Sequence, residues 1–350
     1  MTNRLVTQNS RSKYNKEYNS LLKRDIFYYG NDNIKSYMKK TLTREIICDI
    51  FENYDENDYN NIAIYKFILN LIKHQLWENK DASKEFVNFI NMSMNQKKYM
   101  KEINIYAECH KFYTMLVKKY NIKNKLLDNI RGVNRVKSIN KIIISKYKQP
   151  IKPTCYLDIG CFDGNITSAI GKNFDLNDTQ IHGVDIVELD KMNKNFIFSK
   201  YDGKTLPYSD NSFDMITCLM VLHHIGENLD ILLKEIYRVA KDDCTLILRE
   251  HNVINKIECI NLDIMHSFYD YVWNYDGEKW QDGLESCQYK SNDEWTQLFN
   301  SHGFVLDINP SIFTNPIKNP FKTYMCSYKK SYNIYNASIK NHYQWIVSNE

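Results

Sequence analysis

The chain has 350 residues, 43% hydrophobic and 25% charged, enough to bury one large domain or two medium ones. A mean hydropathy of −0.53 argues against a membrane protein, and the most apolar long stretch, Ile62 to Ile72, is broken by Lys66 and Asn70 and too short to span a bilayer. The net charge of +4 joins unlike halves: residues 1–150 carry 28 Lys and Arg against 15 Asp and Glu, net +13, and residues 151–350 carry 18 against 27, net −9.

In chain order, residues 1–30 are polar, and Met-Thr-Asn-Arg-Leu lacks the apolar core of a secretion signal. Helical periodicity starts near residue 35, with Ile46, Ile47, Ile50 and Phe51 on one face. Ile64, Phe67, Ile68, Leu71 and Ile72 follow at i, i+3, i+4, i+7 and i+8. Asp81 to Glu85 offers helix-start chemistry ahead of Phe86, Phe89 and Ile90. Further helices are predicted over Ile105 to Tyr120 and Leu126 to Lys146. No proline precedes Pro150, so the first part reads as all-helical.

Beyond Pro150 the pattern alternates. Strands are predicted at 154–159, 181–186, 195–200, 213–219, 244–249, 303–308 and 322–329, and helices at 165–174, 228–240 and 291–301. Such alternation means a mostly parallel sheet with helices on both faces. Residues 252–290 fit neither class and are rich in aromatics, including Phe268, Tyr269, Tyr271, Trp273, Tyr275 and Trp280. An insertion there, after a strand's carboxyl end, is expected to cover the ligand crevice. The nine cysteines show no C-x-x-C pair, which reads as reduced thiols in a cytoplasmic setting, and no metal site is expected.

The chemistry concentrates in five segments. Cys155-Tyr-Leu-Asp-Ile-Gly-Cys-Phe-Asp-Gly164 is a strand that breaks at a glycine turn and enters a helix. It is neither a G-x-G-x-x-G turn nor a phosphate loop, and Asp158 before the turn suits a ligand bearing an amine or a sulfonium. Ile181-His-Gly-Val-Asp185 ends in a carboxylate about 20 residues further on, where it can accept both hydroxyls of a ribose. Then come Tyr201 to Asp214, with Asp202-Gly203, the strand from Met215 running into Leu222-His223-His224, and Thr245-Leu-Ile-Leu-Arg-Glu-His251.

This ordered set resembles the class I S-adenosylmethionine-dependent methyltransferases, in particular the methyltransferase type 11 group. The likeness is close over about 150–250 and continues in strand pattern to about 330. It implies a Rossmann-like seven-stranded, mostly parallel sheet whose last strand is antiparallel, preceded here by an all-helical region. The expected organisation is a basic helical accessory region at 1–130, a methyltransferase domain at 131–330 and a C-terminal tail at 331–350. The implied cofactor is S-adenosyl-L-methionine. Asp158, Gly160, Cys161, Phe162 and Gly164 would hold its methionine part, Asp185 the ribose hydroxyls and Ile186 the adenine face. Asp202 would bond the adenine amino group with Gly203 beside it, and Leu222 and His223 would line the floor under the methyl donor. Phe162 departs from the family, which usually has glycine there.

If the acceptor needs a base, His223, His224, Glu250 and His251 are the candidates by position. The basic first half makes RNA a candidate acceptor and partner. A small-molecule or protein acceptor, and a non-catalytic subunit keeping the fold, stay open as alternatives.

Overall fold

The structure is a computed structural model that describes residues 57, 59–76, 79–95, 102–122, 134–141, 152–273, 287–315 and 319–331. The helices expected around 46–51, and the parts of the Leu126 to Lys146 helix outside 134–141, lie outside the described residues.

Its centre is a seven-stranded sheet built from β1 (Tyr156–Ile159), β2 (Ile181–Asp185), β3 (Ile197–Lys200), β4 (Phe213–Leu219), β5 (Ala240–His251), β6 (Phe304–Asn315) and β7 (Asn319–Lys330). The spatial order is β3-β2-β1-β4-β5-β7-β6. β1 to β5 run parallel, while β7 is inserted antiparallel between β5 and β6. Chain order reverses between β1 and β4, the switch point where ligands bind in open sheets of this kind. All four residues of β1 are buried, as expected of a central parallel strand covered on both faces. Its entry is fixed by Asp214, which accepts from the amides of Thr154 and Cys155 at the amino end of β4.

Alternation along the strands separates two cores. Leu157, Ile159, Ile216, Leu246, Leu248, Tyr324 and Tyr328 face the helices Leu229–Val239 and Asn292–Ser301. Tyr156, Met215, Ile247 and Met325 face the other way, toward Ile170 of the helix Asn165–Asn173 and Ile139 of the helical stretch 134–141. Helix Leu229–Val239 buries Leu229, Leu232, Leu233, Ile236 and Val239, one apolar stripe. Helix Asn292–Ser301 starts where Ser291 and Glu294 close a capping box.

A third core lies on the helices α1 (Tyr59–Gln75), α2 (Lys80–Asn95) and α3 (Glu102–Tyr120). α2 begins at Asn79, whose side chain accepts the Ala82 amide, so the cap sits two residues before the expected Asp81. These helices pack on residues 256–273, part of the 252–290 segment whose sequence pattern fits neither helix nor strand. Lys256–Phe268 is a helix, followed by one π-helical turn, Tyr269–Trp273. Its period was hidden by polar residues, but Ile260, Ile264 and Phe268 recur at i+4 and are buried. Trp273 stands edge-on to Phe86 and Tyr113, with ring centroids 5.6 and 4.8 Å away, and the His110 ring bonds the Val272 carbonyl at 3.0 Å. Of the aromatics of this insertion, Phe268 and Trp273 are buried core and Tyr269 packs partly buried against it, while Tyr275 and Trp280 lie outside the described residues. Among the described residues no helix is long and apolar enough to cross a membrane.

Trp273→Ala removes the largest ring of this third core and should cost about 3–5 kcal/mol. Hydrogen exchange should show α2 and α3 losing protection while β1 and β4 keep theirs. Equal loss everywhere would mean that the helices and sheet unfold as one unit.

Candidate functional site

The turn after β1 is stapled to β2: the Gly160 and Cys161 amides both donate to the Val184 carbonyl, at 2.8 and 3.0 Å. Gly160 and Gly164 have φ of +72° and +75°, which glycine adopts without strain. A Cβ at Gly160 would fall 2.4 Å from Cγ2 of Val221, and one at Gly164 would fall 2.0 Å from the Phe196 ring. Both glycines thus serve close packing of the turn itself, a second reason beside the expected approach to a ligand. Cys161 is buried under the turn.

Phe162 occupies the left-handed region at φ +50°, a conformation that costs a non-glycine residue about 1–2 kcal/mol. Its amide donates to Oδ2 of Asp185 at 2.9 Å, which helps hold it there. Its ring is not packed beneath the turn but 53% exposed. Ile186 and Val187 are similarly exposed, at 49% and 52%. Three large apolar side chains left bare beside a strand-end carboxylate form a rim of the kind a nucleoside covers. Oδ1 of Asp185 accepts the Val187 amide at 3.2 Å. Gly203 (φ +79°) is close by: a Cβ there would stand 3.6 Å from Cγ2 of Ile186. The exposed Asp202 closes its own turn, with Oδ1 accepting from the Lys204 and Thr205 amides at 2.8 and 2.7 Å, and these donors pull its carboxyl below the ordinary range. Asp185, Ile186, Phe162 and Gly203 are therefore gathered at the carboxyl ends of β1 to β3.

Asp158 is buried, and its carboxylate oxygens accept from the hydroxyls of Thr167 and Thr217 at 2.6 and 2.5 Å. Burial raises its pKa to about 6 against the opposing pull of those two donors. It ties β1, β4 and the helix Asn165–Asn173 together beneath the turn.

Across the switch point, the ends of β4 and β5 carry the four candidate bases. Glu250 is fully buried. Its Oε1 accepts the Leu222 amide at 2.8 Å, and its Oε2 accepts Nδ1–H of His223 at 2.6 Å and the His251 amide at 3.3 Å. The His223 ring centroid lies 4.1 Å from that of His224 and 4.9 Å from that of His251. Burial lowers the pKa of His251 far below the ordinary range and that of His224 to about 2, so both stay neutral near pH 7. Sequence reasoning missed three members of this cluster. His266, on the helix Lys256–Phe268, has its ring centroid 5.3 Å from His223. Nδ1 of His266 contacts the Leu262 carbonyl at 2.9 Å and the Tyr289 hydroxyl at 2.8 Å. Sγ of Cys287 lies 3.5 Å from Nδ1 of His224. The available signal was that a fifth-strand insertion held another of the chain's nine histidines, at 266.

Residues 157–248 match a family model described as a methyltransferase domain, the type 11 group whose motif order the sequence resembles. A curated relative, the demethylmenaquinone methyltransferase of Lactobacillus johnsonii, is 28% identical over 171 residues, 44% of this chain. The chain spans 62% of that relative's length. Among solved structures, the YcgJ protein of Bacillus subtilis is 16% identical with a TM-score of 0.40, covering 56% of this chain and 97% of its own. The 1,6-didemethyltoxoflavin-N1-methyltransferase of Burkholderia thailandensis, with S-adenosylhomocysteine bound, is 14% identical with a TM-score of 0.41, covering 65% and 90%.

Asp158 gives a pH test. Its folded pKa is raised above the unfolded value, so its contribution to stability is full below about pH 4 and is lost as pH rises through about 6. Between about pH 4 and pH 7.5 the Asp158→Asn variant should gain on wild type by on the order of 3 kcal/mol in urea unfolding. A constant difference across that window would show that the carboxyl is not raised.

Proposed function

We propose that the chain is an S-adenosylmethionine-dependent methyltransferase. The observation that carries this reading is the grouping at the carboxyl ends of β1 to β3: a left-handed glycine turn, the strand-end carboxylate Asp185 bonded to it, and an exposed apolar rim. These residues fit an adenosyl ligand with a charged amino acid tail. Asp185 accepts the ribose hydroxyls, and Ile186 with its neighbours takes the adenine face. Asp202 holds the adenine amino group beside Gly203. The turn from Gly160 through Cys161 and Phe162 to Gly164 carries the methionine part, and Asp158 positions that turn from below through Thr167 and Thr217. Leu222 and His223 form the floor on the acceptor side. The cofactor, when bound, supplies a methyl group on a sulfonium, already activated for in-line displacement. The protein's work is then largely orientation and exclusion of water.

On the acceptor side, the helix Lys256–Phe268 brings His266 to His223, and its core is shared with α1 to α3. A wall so braced supports an acceptor small enough to be enclosed. The charge of the first half, net +13 over residues 1–150, supports RNA as the second reading.

Calorimetric titration with S-adenosylhomocysteine should give micromolar binding to wild type. Asp185→Ala should weaken it about tenfold or more, because a hydrogen bond to a charged group is worth roughly 1.5–3 kcal/mol. No binding to well-folded wild type would sink the proposal. Binding of RNA that weakens steeply with salt would select the second reading for the acceptor, and salt-independent or absent RNA binding the first.

A further inference from the structure

We infer that the imidazoles of His223, His251 and His266 form a binding site for a divalent transition metal ion of the zinc class, with the Glu250 carboxylate orienting His223. This goes beyond methyl transfer, since the metal binding needs only these side chains.

One nitrogen from each ring lies within 4.8 Å of the others. The three residues come from separate elements: the turn after β4, the end of β5 and the helix Lys256–Phe268. Their convergence is therefore a tertiary feature and not an accident of local spacing. Zinc–nitrogen bonds of about 2.0–2.1 Å put tetrahedral neighbours roughly 3.3 Å apart, within reach of small ring rotations from this arrangement.

The tautomers also fit. Nδ1–H of His223 donates to Glu250 at 2.6 Å, which directs the lone pair of Nε2 away from the carboxylate. Among the described residues that buried Nε2 has no hydrogen-bond partner. Leaving a buried polar atom unsatisfied costs about 1–3 kcal/mol, and a metal ion would meet that need. Nδ1 of His266 contacts both the Leu262 carbonyl at 2.9 Å and the Tyr289 hydroxyl at 2.8 Å, and since a carbonyl can only accept, this nitrogen carries the proton and Nε2 the lone pair. A carboxylate or backbone carbonyl on the far nitrogen is the usual outer support of a metal-bound imidazole. An all-nitrogen set suits zinc, cobalt or nickel and not calcium or magnesium, which take oxygen. His224 and Cys287 offer a competing set around the same His266. His223 is favoured because its carboxylate support is built and its second nitrogen has no hydrogen-bond partner among the described residues.

The test uses the full chain freed of metal by chelator and titrated with Co²⁺, read by visible absorption, and with Zn²⁺, read by calorimetry. One equivalent should bind, with cobalt ligand-field bands and no thiolate charge-transfer band. His266→Gln should weaken binding by at least about 100-fold, and Glu250→Gln by about 10–100-fold. Cys287→Ser should leave the cobalt spectrum unchanged. Circular dichroism checks each variant's fold, and His251→Asn replaces His266→Gln if that variant does not fold. Binding weaker than about millimolar, or binding indifferent to both histidine variants, overturns the inference. So does a thiolate band that Cys287→Ser removes, because it assigns the ion to the competing set. S-adenosylhomocysteine is titrated into the same samples: a chain that binds it but takes no metal fails here alone, and one that takes metal but not the nucleoside fails only as a methyltransferase.

Discussion

The side of the crevice beyond β4 depends on one buried carboxylate. Glu250 ends β5 with no exposure to solvent, yet its two oxygens take donors from the turn after β4 and from its own successor. A carboxylate that deep is tolerable only when its lone pairs are satisfied. Satisfying them draws Leu222 and His223 onto the end of β5. The turn after β4 thereby acquires its position, and Val221 just before it fills the space that a side chain at Gly160 would need. One polar contact thus sets the gap between the two halves of the crevice.

The other half is organised by strain held in place. Phe162 sits in a backbone region that glycine occupies easily, and it is kept there by the bond from its amide to Asp185. The same carboxylate accepts the amide of Val187, so β1 and β2 are locked at the edge where a nucleoside would lie. Functional sites commonly hold such strain where the surrounding structure over-determines the geometry. Beneath it, Asp158 joins three elements through two hydroxyls. This explains why an acidic residue at that position need not touch a ligand to matter to it.

The sheet was legible because its signals are local. Short, mostly apolar runs bounded by turn residues mark β1 and β4, and an acidic residue at a strand end with glycine turns marks the crevice side. Asp185, Ile186, Gly203 and Phe162 were findable for the same reason: each lies within a few residues of a strand end. The imidazole cluster was only half legible. His223 and His224 follow β4 and Glu250 and His251 end β5, but His266 is on a helix whose apolar period is diluted by polar residues, and Cys287 and Tyr289 come after a further stretch of chain. Nothing in spacing alone brings positions 266 and 287 to positions 223 and 251; only tertiary packing does. Asp202 was ambiguous from sequence, since Asp-Gly is also turn chemistry, and its carboxylate does close that turn.

The helix Lys256–Phe268 links the two legible parts through the illegible one. Ile260, Ile264 and Phe268 bury it in the core of α1 to α3, while His266 reaches the imidazoles at the sheet edge. Because side chains at i and i+4 stack on one helix face, Leu262 and His266 travel together, and the carbonyl of Leu262 fixes the His266 ring. Any shift of α1 to α3 against the sheet must then carry His266 with it. Packing in the first half of the chain is in this way mechanically joined to the geometry of the imidazole cluster, although among the described residues none from α1 to α3 belongs to that cluster.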